Sequence, residues 1–178
     1  MNIFSGDKSI YGRYAQIIKK YSRSNDTDAE EWKLSNGEDA ASLAKIFNTY
    51  IDCLYAGAAV GLAKGIKIKE SVPTQDKKMR ANILASAWKN RQVDFMYLYR
   101  LMILTDKELN MTKDERVKKA CSDIPESQEE NEFNYFLQFA YGGLVELDKI
   151  LGEIHDYTGL SNYASLLYSD LQDDDEEE

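Results

Sequence analysis

The stretch YAGAAVGLAKGIKIKE, residues 55–70, sets Gly57, Gly61 and Gly65 four apart inside an otherwise helix-favouring run. Three uses of such glycines compete: a loop that cradles phosphate, a helix pair in a membrane, or close packing of two helices in a soluble protein. A dinucleotide fingerprint needs GxGxxG between a strand and a helix, and a phosphate loop needs GxxxxGK followed by Ser or Thr. The spacing here matches neither. The membrane version needs an apolar segment of about 20 residues, whereas Asn48, Asp52, Lys64, Lys67 and Lys69 bracket this one. Four-residue spacing keeps Gly57 and Gly61 near one helical face, where missing side chains leave a groove for another backbone. Each interior glycine costs about 1 kcal/mol relative to alanine, so a compensating contact is expected. Gly65 reads differently, as the helix C-terminus before a short extended IKIK segment and Pro73.

Helical spacing of apolar residues recurs along most of the chain. A first helix is expected over 8–22 through Ile10, Tyr14, Ile17, Ile18 and Tyr21, followed by a polar connection pinned by Trp32 and Leu34. The glycine-bearing helix is expected over 38–64, capped by Ser35 or Asn36 and burying Leu43, Ile46, Phe47, Tyr50, Ile51 and Leu54. Thr74 caps a third helix to about Lys89, and a fourth over 91–105 is apolar on nearly every side and therefore central. Thr112 opens a short helix with Glu115 in capping-box position. Further helices are expected over 128–151 and 157–171. The fold class is all-α: a compact bundle of six or seven helices with no convincing sheet. Residues 1–171 form one helical domain, and 172–178, carrying DDDEEE, a disordered acidic tail that repels itself.

The formal charge is 22 − 31 = −9, and the last six residues carry six of the negative charges, so the body stands near −3. Residues 62–91 run the other way. They hold Lys64, Lys67, Lys69, Lys77, Lys78, Arg80, Lys89 and Arg91 against Glu70 and Asp76, a local net of +6. This is the segment where a polyanion or an acidic partner can be held, the alternative being a solvated helical surface. It has no Gly-rich RNA loop, zinc-finger pattern or recognition-helix signature. No apolar run is long enough to span a bilayer, and the start MNIFSGDKSIYGRY has no signal-peptide block. A cytoplasmic protein without a membrane partner is expected.

Candidates for chemistry are few. Cys53 and Cys121 stand 68 residues apart beside apolar neighbours and read as two reduced, mostly buried thiols. Asp52 and Asp94 fall in apolar helical stretches as candidate buried carboxylates, with Arg91, Arg100 or Arg13 as counterion. Two inward carboxylates serve acid/base chemistry or hold a divalent metal, but no Glu-x-x-His pattern completes a cluster. His155 lies between Glu153 and Asp156 with no identifiable nucleophile. No cofactor, metal or catalytic residue is expected.

YIDCLYAGAAVGLAKGIK (50–67) and FLQFAYGGLVELDKI (136–150) resemble two landmarks of the small helical accessory proteins encoded beside bacterial DNA phosphorothioation systems. In that family an acidic residue precedes an aromatic, alanine-rich helix that ends in Gly-x-x-x-Gly and a basic turn. Asp52, Tyr55, Ala58, Ala59, Gly61, Gly65 and Lys67 stand at those places. A later Tyr/Phe-Ala-x-Gly-Gly-Leu segment is matched by Phe139, Ala140, Gly142, Gly143 and Leu144. Between them LYRLMILTDKELNM (98–111) resembles the family's helix and Thr-Asp turn, so the likeness spans about 45–151. KGIKIK departs from the usual arginine-containing turn. The resemblance implies an accessory component of phage defence and carries no catalytic residue across.

The leading expectation is a noncatalytic helical adaptor that binds other proteins, in a bacterial anti-phage defence complex, with self-association open. Its twelve Tyr and six Phe exceed what a minimal core needs, leaving some for partner contacts. Nonspecific DNA or RNA phosphate binding through 62–91 is the second reading. A small hydrolase or nuclease using Asp52, Asp94 and His155 is the third.

Overall fold

The computed structural model describes residues 3–23, 46–69 and 79–152. Along them run β1 (Lys8–Tyr11), α1 (Gly12–Tyr21), α2 (Tyr50–Lys64), β2 (Arg80–Ile83), α3 (Ala85–Thr105), α4 (Lys113–Cys121), a 3-10 turn (Glu126–Gln128) and α5 (Glu129–Gly152). The described residues are mostly helical. They hold five α-helices rather than six or seven, and a small sheet where none was expected. The expected 157–171 helix, the acidic tail, His155 and the caps at Ser35, Asn36 and Thr74 lie outside the described residues.

The two strands fall inside two expected helices, 8–22 and 74–89. β1 pairs antiparallel with β2, Lys8 opposite Ile83 and Tyr11 opposite Arg80. Ile10, Ala81 and Ile83 turn inward and are buried, while the Ser9 hydroxyl donates to Asn82 Oδ1 at 2.8 Å on the other face. Gly12, at φ +61, then swings the chain from strand into α1, and its amide donates to the Met79 carbonyl at 2.9 Å. A side chain is rarely tolerated at such a φ, so the strand ends there. Four residues are too few to display a period of two, and Ile10 fits helical spacing with Tyr14 equally well.

After Leu84, α3 runs unbroken for 21 residues and fuses the two helices expected over 74–89 and 91–105. No Gly or Pro lies within it, so nothing forces a break. Its N-terminus is capped from the other end of the sequence: Asp7 accepts from the Ala85 amide at 2.8 Å. α2 begins at Tyr50 instead of residue 38, because residues 46–49 are not helical. Phe47 instead exchanges backbone hydrogen bonds with Tyr21 and Arg23. Thr49 caps α2 by accepting from the Asp52 amide at 3.3 Å. Gly65, at φ +63, closes it while the Ile66 amide reaches back to the Gly61 carbonyl at 2.8 Å.

The core centres on an aromatic knot. Phe4, from the segment before β1, meets Phe136 of α5 at 4.9 Å between ring centroids, and Trp88 meets Phe95 at 5.0 Å, both edge to face. At the periphery α4 depends on local chemistry, since Ala120 is its one buried residue. Thr112 Oγ1 accepts from the Glu115 amide while the Glu115 carboxylate accepts from the Thr112 amide at 2.7 Å. Thr112→Ala removes the hydroxyl's half of this box and is expected to lower the unfolding free energy by about 1 kcal/mol. Urea titration measures it, and an unchanged midpoint contradicts the assignment.

Candidate interaction surface and buried charge network

Glycine decides how closely α2 and α5 approach. A Cβ on Gly61 would overlap the Phe139 carbonyl oxygen, and one on Gly143 would overlap the Gly57 carbonyl oxygen. A Cβ on Gly57 would sit 2.7 Å from Leu144 Cγ, and Gly142 abuts the Ile66 carbonyl in the same manner. The two backbones therefore touch where Gly57 and Gly61 cross Gly143. The 66–69 segment continues the contact, with the Ile68 amide donating to the Gln138 carbonyl at 2.9 Å.

The basic segment is largely neutralised within the protein. Lys64 pairs with Glu146 at 2.7 Å, Lys67 with Asp106 and Glu108 at 2.8 Å each, and Lys69 with Glu108 at 2.9 Å. Arg91 spans Asp52 at 2.5 Å and Asp94 at 3.2 Å. Arg80 and Lys89 are exposed, while Lys77 and Lys78 lie outside the described residues. Four of the six described cations thus already face carboxylates, which lowers the field available to a polyanion.

Asp52 and Asp94 are part-exposed, at 25% and 47% of their side chains, rather than buried as expected, and they meet at the same guanidinium, so Arg91 is their counterion. Arg13 instead donates to the Tyr14 hydroxyl at 3.0 Å, and Arg100 is exposed rather than buried. Burial opposes the charged form of Asp52, but hydrogen bonds from Thr49 and Arg91 outweigh it and hold the pKa below the usual carboxylate value. A carboxylate so held is a poor general base at neutral pH. With its Asp94 arm this triad ties α2 to α3, and Arg91 also lies 5.7 Å from the Tyr55 ring centroid. A surface cleft of about 230 Å³ nearby, between Thr49 and Ser86, includes neither carboxylate in its lining. Among the described residues no group of three or more His, Cys, Asp or Glu is arranged to hold a metal.

A second set of charges is far better buried, and the sequence reading passed over most of it. Lys67 and Asp106 side chains are 8% and 3% exposed. Asp106 also accepts from the Tyr135 hydroxyl at 2.9 Å and from the Glu108 amide at 2.9 Å. Burial alone would raise the Asp106 pKa, yet these donors together hold it below its ordinary value. One turn away on α5, Glu132 accepts from the Tyr99 hydroxyl at 2.7 Å and pairs with Lys119 at 2.8 Å. Burial and then the neighbouring carboxylates push both Tyr99 and Tyr135 phenols upward, so neither ionises near neutrality. Each carboxylate has one cation and one phenol, which makes the pair of units a structural clamp joining 66–69, α3, α4 and α5. Its sequence signals are Asp106 closing the apolar α3 and Glu132 placed on the same face as Phe133 and Phe136.

Cys53 is fully buried, and burial pushes its thiol up to about 12, keeping it protonated and unreactive. Cys121 is exposed on α4, against the expectation of two buried thiols.

The outward face of α3 also corrects the expectation that this helix is central on all sides. Val93 is 81% exposed, Tyr97 62% and Leu104 39%. With exposed Ser86, Asn90 and Arg100 they follow steps of four and three residues, a single stripe along the helix. No described element covers it.

Comparison of the chain with protein-family models, with curated proteins and with solved structures returns no match. No helix of the described residues is long and apolar enough to cross a membrane.

Proposed function

We propose that this protein is a noncatalytic helical adaptor that binds other proteins through the outward face of α3. The observation that carries the reading is the α3 stripe, where Val93 and Tyr97 expose 81% and 62% of their surface on an unbroken helix. Isolated exposed apolar residues are ordinary, but an aligned set containing Tyr and Arg has the composition of an interface centre. The carboxylates Asp52, Asp94, Asp106 and Glu132 are all engaged with cations, which supports an architectural rather than a catalytic use. The resemblance of residues 45–151 to accessory proteins of DNA phosphorothioation systems favours an anti-phage defence complex as the setting.

The test is capture from native lysate with tagged full-length protein, comparing wild type with the Val93→Glu/Tyr97→Ala double variant. Wild type is expected to retain a partner, and the double variant to lose at least about tenfold of it, with its thermal melt unchanged. Equal retention by both would move the interface off α3. A wild-type protein that retains nothing at any salt concentration overturns the adaptor reading.

A further inference from the structure

We propose that a second copy of this chain occupies the α3 stripe, the two helices lying antiparallel about a two-fold axis near residues 98–99. The inference shares with the adaptor reading only the use of this face for binding protein, and assigns the face to a second copy.

The order of the large exposed side chains carries it. Within the stripe they run apolar, aromatic, cationic, apolar: Val93, Tyr97, Arg100, Leu104. Val93 and Leu104 share a midpoint at 98.5, and so do Tyr97 and Arg100. An antiparallel partner centred on that midpoint sets Val93 of one copy against Leu104 of the other. It also sets each Tyr97 against the opposite Arg100, so two cation–π pairs lie at the centre with an apolar layer on either side. A two-fold interface must be self-complementary, and this sequence order satisfies that condition at all four positions. The steps of four and three residues keep the stripe straight against a second helix, as in a coiled-coil seam. A parallel arrangement loses the complementarity, because it stacks Arg100 on Arg100. No acidic residue lies within the stripe to oppose the pairing; Asp94 sits at its flank and is held by Arg91 at 3.2 Å.

One helix face is a small interface, so the dimer is expected to be weak, with a dissociation constant on the order of 10 µM. Sedimentation of the full chain over a range of concentrations spanning that value is the first measurement. Wild type is expected to shift from monomer to dimer, and Val93→Glu to weaken the association at least about tenfold without changing the thermal melt. Register is read by disulfide trapping in a Cys121→Ser background, which removes the exposed native thiol. Chains carrying Val93→Cys mixed with chains carrying Leu104→Cys are expected to cross-link under mild oxidation. Val93→Cys alone is not, since its two copies are about 16 Å apart along the axis at 1.5 Å per residue.

A wild-type monomer at every concentration overturns the proposal, as does a dimer that Val93→Glu leaves intact or one in which Val93→Cys links to itself. A monomer that still captures another protein through Val93 and Tyr97 overturns the self-pairing and leaves the adaptor reading standing. A two-fold dimer that captures nothing supports the self-pairing and overturns the adaptor.

Discussion

Gly143→Ala is expected to lower the unfolding free energy by about 3 kcal/mol or more, even though alanine is the better helix former by about 1 kcal/mol. The added methyl has nowhere to go. Its Cβ would overlap the Gly57 carbonyl oxygen and crowd the Gly61 amide nitrogen, both main-chain atoms of α2. A side chain in the way can change rotamer, but a backbone can yield only if the whole helix moves. α2 is in turn held by Arg91 to α3 and by the aromatic knot behind it. Gly152→Ala is the matched control at the end of the same helix, since among the described residues the nearest atom to its Cβ is the Tyr21 hydroxyl oxygen at 3.9 Å. That variant is expected to match wild type or gain slightly. Urea unfolding of the three proteins decides the matter, and a Gly143→Ala protein as stable as wild type would mean that the two backbones are not in contact there.

Asp106→Ala should cost about 3–5 kcal/mol at neutral pH, the range seen when one member of a buried ion pair is removed. Lys67, 8% exposed, would keep only the surface carboxylate of Glu108 as a charge partner, and the Tyr135 hydroxyl would lose its shorter acceptor and keep the Met102 carbonyl at 3.3 Å. The Lys67→Met/Asp106→Leu double variant removes both charges and should recover most of the loss, because no uncompensated ion remains. The pH dependence has a definite sign. Asp106 titrates below its ordinary 3.8 when folded, so its stabilisation is complete above that value and disappears as pH falls through the folded pKa. Lys67 titrates above its ordinary 10.5, so its share is complete below that value and disappears as pH rises through the raised pKa. Both contributions are therefore present at pH 7. Denaturant midpoints should separate wild type from Asp106→Ala most widely near neutrality and converge in strong acid. A constant gap across that range would show that the loss comes from packing rather than from charge.

Legibility followed the range of the interaction. The glycine-bearing helix ends where Gly65 stands because a left-handed C-terminus is a property of a few consecutive residues. The Thr112 cap is equally local, three residues from hydroxyl to amide. The strands were missed because their identity lies in each other: Ile10 and Ala81 define an inward face only once residues 71 positions apart are paired. Asp7 capping α3 and Asp106 receiving Lys67 are of the same kind. In the sequence Asp106 is a turn residue after an apolar helix, and Tyr99 and Tyr135 are two aromatics among many.

The sequence by itself determined that most of the described chain would be helical, that Gly57 and Gly61 would share one face, and that Gly65 would end their helix. These follow from backbone propensity and from the 3.6-residue turn, which act between near neighbours. Only the tertiary structure decided that Gly143 supplies the opposing backbone, that Lys67 points inward to Asp106 rather than outward to a polyanion, and that α3 leaves Val93 and Tyr97 in solvent. Each of those outcomes depends on which distant element arrives to fill a groove, meet a charge or cover a face, and local periodicity carries no information about that arrival.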